Sequence, residues 1–239
     1  MRAVLTFHSI DDQPGPLSLS PAGLEAMLDA LAKADIPVLS LDELLGDKDA
    51  HGVALTFDDG ISTVFTAAMP ILARRHVPAH VFVITQRVGG DNRWPGQPAN
   101  ATPFTLMDWH QLEALQTAGF RIEGHTARHP DLRSLSRAEI EREMEEADAA
   151  IERRLGRRPR YFAYPYGYHD VRVRAIAKKR YAASFTTKLD YVRTSAESDA
   201  VPRLDAHYLR SPVFVRSLPG APAHVYIALR RALRRLRGH

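Results

Sequence analysis

Short apolar runs alternate with segments of helical period along this chain, and that alternation restricts its fold more than any other feature of its 239 residues. Val4–Phe7 reads as a strand. Ser20 then caps a helix with Pro21 at its first position and Leu24, Met27, Leu28 and Leu31 along one face. Val53–Phe57 is a second strand, Ile61–His76 has helical spacing, and Ala79–Ile84 is a third strand. Thr105 is expected to open a helix bearing Leu106, Trp109, Leu112 and Leu115, stopped at Gly119. Phe120–Glu123 is again a strand. Ser136 and Glu139 form a capping box before a helix with Ile140, Met144, Ala147, Ile151 and Leu155, which ends at Gly156. Tyr161–Ala163 and Ala182–Thr186 are short strands on either side of a helix near Val171–Arg180. Repeated β–α order argues for a parallel sheet, open or closed into a barrel, and periodicity does not separate the two. Either form gathers its chemistry at the carboxyl ends of the strands.

Composition removes several functional classes. The chain has no cysteine, which excludes disulfides, thiolate metal ligands and cysteine nucleophiles. No apolar stretch of about eighteen residues suggests a membrane span. Met1-Arg2 leads straight into the first strand without a secretory signal, so a cytoplasmic protein is expected. The net charge of +4 is unevenly placed. Between Ala223 and His239 stand Arg230, Arg231, Arg234, Arg235 and Arg237, with Tyr226, Leu229, Leu233 and Leu236 at helical spacing. One reading is a basic amphipathic helix lying on an anionic membrane, which makes the protein peripheral on the inner face. The preferred reading is a terminal helix packed on the barrel with its arginine face in water. No basic stripe with interleaved aromatics occurs elsewhere, so no nucleic-acid partner is expected.

Reactive residues cluster where strands end. Asp58-Asp59-Gly60 follows the Val53–Phe57 strand. Asp-Gly is also a hairpin signal. However, Ile61, Val64, Phe65, Ala68, Ile71 and Leu72 show helical rather than alternating spacing, which favours a strand-to-helix loop. Two adjacent carboxylates repel unless a proton or cation sits between them, which points to a metal. His125 and His129 follow another strand, and two histidines four apart on one helical turn can face one ion. An Asp with two His makes a three-ligand site with positions open to water and substrate, a catalytic rather than a structural arrangement. Phe162-Ala163-Tyr164-Pro165-Tyr166-Gly167 also ends a strand; taken alone it is a Pro-Gly turn with an aromatic rim.

Together, Thr56-Phe-Asp-Asp-Gly60, the His125-Thr-x-x-His129 segment and Pro165-Tyr-Gly167 resemble the polysaccharide deacetylase family, the NodB-homology or carbohydrate esterase family 4 proteins. The similarity runs from about Val4 to about Asp205. The strand-then-His start and Ser40-Leu-Asp-Glu-Leu44 are similar to members acting on poly-N-acetylglucosamine-type exopolysaccharides. The resemblance implies an α/β fold, a distorted (β/α) barrel with fewer than eight strands in a single domain. Residues 1–215 would form that domain, with 216–239 as its basic helical extension. It implies a hydrolase of carbon–nitrogen bonds that removes acetyl groups from an N-acetylglucosamine-type polysaccharide or lipid-linked glycan. The alternatives are a deformylase or amidase acting on a small molecule, and a carbohydrate-binding pseudoenzyme.

The resemblance also assigns roles. Asp59, His125 and His129 would bind the metal, Zn²⁺ by expectation, with Co²⁺, Ni²⁺ or Mn²⁺ as alternatives. Asp58 would be the general base, and the Tyr166 backbone N–H would face the oxyanion. His8 is the favoured general acid, with His207 as the second candidate. Two features depart from the family. Ala163 stands where an Arg usually orients the base, and Arg203 is the expected substitute from another loop. The usual late Trp motif is missing; Trp94 either walls the sugar site or packs its own loop. Tyr164 is similarly open, while His51, His76, His80, His110, His169 and His224 read as structural or exposed.

Overall fold

The structure is a computed structural model that describes residues 1–97 and 100–236, apart from the side chains of 235 and 236. Seven parallel strands close into a barrel. They are β1 (Arg2–Phe7), β4 (Gly52–Phe57), β5 (Ala79–Val83), β6 (Arg121–Gly124), β7 (Tyr161–Ala163), β8 (Ala183–Leu189) and β9 (Val201–Asp205). β9 pairs back onto β1 through Leu5 with Leu204 and Thr6 with Asp205, which completes the ring. A two-stranded parallel ribbon, β2 (Ser9–Ile10) and β3 (Ser18–Leu19), lies beyond the end of β1.

Strand alternation sorts the side chains. Val53, Leu55 and Phe57 of β4 point outward, into a layer that includes Leu24, Met27 and Leu28 of α1 (Pro21–Lys33) and Ile71 and Leu72 of α3 (Met69–Arg74). Ala54 points inward with Val4, Phe82, Tyr161, Ala163, Ala183, Phe185 and Val201. Leu41 and Leu44 of α2 (Leu41–Gly46) join this inner cluster and plug the barrel. Ser40 and Glu43 form the capping box of α2. Thr56 shares the inward parity of Ala54, and its hydroxyl lies 3.3 Å from that of Thr6. Asp58 and His8 extend the same two inward series past the strand ends.

Two expected helices begin later than their patterns suggest. Residues 61–62 form a turn held by a bridge between Ile61 and Leu106, and a π turn over Val64–Ala68 precedes α3. Pro70 lacks the N–H an unbroken helix would need there, which accounts for the irregular start. α4 (Trp109–Thr117) begins after Asp108, not at Thr105, because Asp108 and Gln111 cap it reciprocally. α5 (Arg137–Leu155) has the expected Ser136–Glu139 box and ends at Gly156 in the left-handed conformation. α6 (Val171–Arg180) is capped by Asp170. α7 (Pro212–Arg216) packs against α1.

α8 (Ala221–Leu236) corrects the preferred reading of the tail. It packs on the protein through Ala223 and Ile227, both fully buried, while Arg230, Arg231 and Arg234 are partly buried. Val225, Leu229 and Leu233 face outward. The arginine side is thus turned toward the barrel and the leucine side toward solvent. Among the arginines of the tail, the Arg235 side chain and Arg237 lie outside the described residues, as does the side chain of Leu236.

Candidate metal centre

Most candidate residues sit at or just past the carboxyl end of a barrel strand; Arg203 lies within β9, and Trp94 comes from the long loop before α4. Asp59 leaves β4 with φ 69°, which turns its carboxylate away from the barrel interior that Asp58 enters. Asp59 Oδ1 lies 3.3 Å from His125 Nε2 and 3.7 Å from His129 Nε2. One ligand atom from each of the three residues lies within 4.8 Å of the others, and all three side chains are buried. Donors held about 2.1 Å from one ion stand about 3.0–3.4 Å apart, so the trio needs only small shifts to grip a divalent cation.

The histidines do not share a helical turn. His125 follows β6 directly, Thr126 and His129 have φ of 67° and 66°, and the chain between them is a loop. Two features shape that loop. The Thr126 hydroxyl accepts from the His129 N–H at 2.9 Å. The buried Glu143 carboxylate on α5 accepts from the Ala127 and Arg128 N–H groups at 3.1 and 3.0 Å and from Arg128 Nε at 2.6 Å. Glu143 escaped the sequence reading. Its signal was a charged residue inside the apolar stripe Ile140, Met144, Ala147.

The ring environments differ. His125 Nδ1 lies 2.7 Å from the Ala163 carbonyl, so Nδ1–H donates there and Nε2 is left to face Asp59. His129 is held by rings, with Trp94 and Tyr166 each 4.5 Å away between centroids. Trp94 Nε1–H donates to the Tyr166 hydroxyl at 3.0 Å. Trp94 is 4% exposed, so it packs behind the metal ligand and does not present a wall to a sugar. Tyr164 is also structural, buried with its hydroxyl donating to the Asp199 carbonyl at 2.8 Å.

Charges at the site reinforce one another. Burial pushes the Asp59 carboxyl up, but its bond to His125 and the charges around it hold it well below the carboxylate range. Burial lowers His125, yet its bond to Asp59 and the pull of Asp58 raise it overall. His129 is pushed down to about 3 by burial and by the neighbouring His125. The site therefore favours an anion at Asp59 with positive charge beside it, which suits a cation held by one carboxylate and two neutral imidazoles.

Asp58 is built differently. Arg203, on β9, enters the barrel interior and grips it as a fork, Nη1 to Oδ1 at 2.8 Å and Nη2 to Oδ2 at 2.7 Å. Arg203 Nε donates to the Thr186 carbonyl at 3.1 Å, and Arg203 is 2% exposed. Burial would raise the Asp58 carboxyl, but the Arg203 guanidinium outweighs it and holds the group below its ordinary value. Arg203 thus pairs with Asp58 from a strand rather than from the expected loop.

The remaining candidates rim the site. His8 is half-buried, and its charge bears on Asp58, Asp59 and His129 alike. His207 lines the same narrow cavity of about 10 Å³ beside His8 and packs edge-on against Tyr208. Tyr166 has φ 58° in the turn Pro165–Gly167, and its N–H is one that the turn leaves unused. Gly167, at φ 71°, must be glycine, because a Cβ would meet the Thr187 hydroxyl at 2.2 Å. A cleft of about 960 Å³ runs from Gly167 and Tyr168 past Lys188 and Arg193 to Arg234, beside the ligands rather than over them.

The family model described as Polysaccharide deacetylase matches residues 46–182. The poly-beta-1,6-N-acetyl-D-glucosamine N-deacetylase of Staphylococcus epidermidis is 24% identical over 205 residues, covering 78% of this chain and 67% of that protein. Its Staphylococcus aureus counterpart is 26% identical over 216 residues, covering 83% and 71%. Among solved structures, the Streptococcus pyogenes deacetylase PplD superposes with a TM-score of 0.73 at 22% identity over 85% of this chain and 91% of that one. IcaB from Ammonifex degensii gives 0.72 at 21% identity over 90% and 97%, and at such identities the likeness is one of fold. A match spanning more than half the chain, across the strand ends that carry both aspartates, both histidines and the Pro-Tyr-Gly turn, makes this protein a member of the polysaccharide deacetylase family.

Proposed function

We propose that this protein is a metal-dependent hydrolase that removes acetyl groups from the acetamido nitrogens of an N-acetylglucosamine polysaccharide. The observation that carries the reading is the convergence of Asp59, His125 and His129 beside an Asp58 held ionised by Arg203. The staphylococcal relatives, named for deacetylation of a β-1,6-linked polymer, support the substrate class.

A divalent cation held by Asp59, His125 and His129, Zn²⁺ in this proposal, supplies Lewis-acid polarisation of the amide carbonyl and lowers the pKa of the attacking water. Asp58 accepts the proton of that water as its oxygen attacks the carbonyl carbon. Arg203 keeps Asp58 ionised and fixed in one orientation. The Tyr166 N–H donates to the carbonyl oxygen as it gains charge. The C–N bond then breaks, and His8 gives the departing amine its proton, which leaves acetate and a free amino sugar. The cleft beginning at Gly167 and Tyr168 is the route for the rest of the glycan chain.

The test is acetate release from β-1,6-linked N-acetylglucosamine oligomers by the metal-loaded protein. Turnover should fall by about 10²–10⁴ in Asp58→Asn, with metal binding retained. No acetate from any acetylated glycan, or an Asp58→Asn variant of normal activity, overturns the reading.

A further inference from the structure

α8 is an amphipathic helix mounted inside out. Its inner face rests on the protein through Ala223 and Ile227, with Arg231 alongside and bonded to Asp190. Its outer face carries Val225, Leu229 and Leu233, one helical turn apart and 68%, 56% and 37% exposed. α7 lies alongside: its Phe214 packs against Tyr226 at 4.5 Å between ring centroids, and its Val213 is 67% exposed. A helix that only completed the barrel would turn these leucines inward and its arginines to water.

Charge identifies what the face meets. From Ala206 to His239 the chain has seven arginines and no aspartate or glutamate. Arg216, on the exposed side of α7, has no carboxylate partner among the described residues. Arg230 and Arg234, on the inner side of α8 and only partly buried, stand over the Tyr208 ring. A second copy docking here would bring two such acid-free segments together, and like charges would oppose it. An anionic lipid surface meets both features at once, with acyl chains for the stripe and headgroup phosphates for the arginines.

We propose that α8 and the exposed edge of α7 form a docking surface for anionic membranes, with Val213, Val225, Leu229 and Leu233 entering the headgroup–acyl boundary. This inference is independent of the catalytic reading. The probe is the metal-loaded full chain, sedimented with vesicles of phosphatidylcholine alone or mixed with phosphatidylglycerol at roughly 7:3. The protein should sediment with the mixed vesicles at low salt and less well as salt screens the arginines. Val225→Ser/Leu229→Ser should weaken that binding by about tenfold or more, and Arg216→Glu should weaken it measurably. Both variants keep the melting temperature and the rate on soluble substrate, since these side chains are exposed. A chain that stays in the supernatant with mixed vesicles, or binds neutral vesicles equally well, overturns the proposal. So does a concentration-dependent dimer in the ultracentrifuge that Val225→Ser/Leu229→Ser abolishes, because the face then belongs to a second copy.

Discussion

Arg203 and Asp58 form a closed charge pair inside the barrel, and removing either partner alone tests whether the pair organises the site. Both side chains are nearly fully buried, at 2% and 5% exposure, and two short hydrogen bonds join them. Arg203→Met leaves a buried carboxylate without its counter-ion, which typically destabilises by about 3–5 kcal/mol. For a chain of this size that corresponds to a fall in Tm of roughly 6–20 °C. Asp58→Asn leaves the guanidinium buried against a neutral acceptor and is also destabilising. The double variant Asp58→Asn/Arg203→Met buries no net charge at these positions. Its loss should fall short of the sum of the single losses by about 2–3 kcal/mol. Denaturant unfolding of all four proteins, with equal metal occupancy confirmed, gives the cycle. Arg203→Lys should recover little, because an ammonium cannot hold both carboxylate oxygens in a planar fork. Additive single and double losses would refute the idea that the two charges depend on each other, and with it the positioning role assigned to Arg203.

Three further outcomes follow from other contacts. Glu143→Gln removes the carboxylate that ties down the loop between the histidines, and metal affinity should drop about 10–100-fold, read by competitive chelator titration, with turnover restored at saturating metal. Asp199 is held by Arg174 at 3.0 and 3.1 Å; burial raises its carboxyl but the arginine lowers it further, so its folded pKa is depressed. Its contribution is therefore full above the ordinary carboxylate value near 4 and vanishes as the pH falls through the lower folded value. The Tm difference between wild type and Asp199→Asn should be clear at pH 7 and closed in strong acid; a gap that widens in acid contradicts this sign. Stripping the metal should abolish acetate release and lower Tm, and restoring it at a hundred times its Kd should return about 2.7 kcal/mol, provided Asp59 is intact.

Periodicity was enough to order the strands, but not to close them. Closure is a property of register, and the closing strand carries Pro202, a residue that argues against a central strand because it donates no ladder hydrogen bond. The structure accommodates it where the β8–β9 register shifts between Phe185 and Leu189. Arg203 lies next to that proline, so the residue that pairs with Asp58 came from a strand the sequence did not announce. Likewise, the wheel of α8 has two clear faces, yet no pattern within a helix says which one meets the protein. The metal ligands were legible as letters and not as geometry. Asp59, Thr126, His129 and Tyr166 are four of the six non-glycine residues with positive φ among the described residues, a conformation that costs on the order of 1–3 kcal/mol at each. Nothing in those residue types advertises it. The left-handed turns separate Asp59 from Asp58, so that one carboxylate faces His125 and His129 and its neighbour faces Arg203. They also bring His129 back toward Asp59 without a helix. The strain is therefore part of how two adjacent aspartates are assigned two different roles. Relieving it at residue 59 with glycine would remove a ligand as well as the strain, whereas Thr126→Gly relieves it while the ligand set stays whole. Thr126→Gly and Thr126→Val both lose the hydroxyl that accepts from the His129 N–H, but only glycine adopts the left-handed turn without strain; if that turn is what positions His129, metal affinity should fall substantially further in Thr126→Val than in Thr126→Gly.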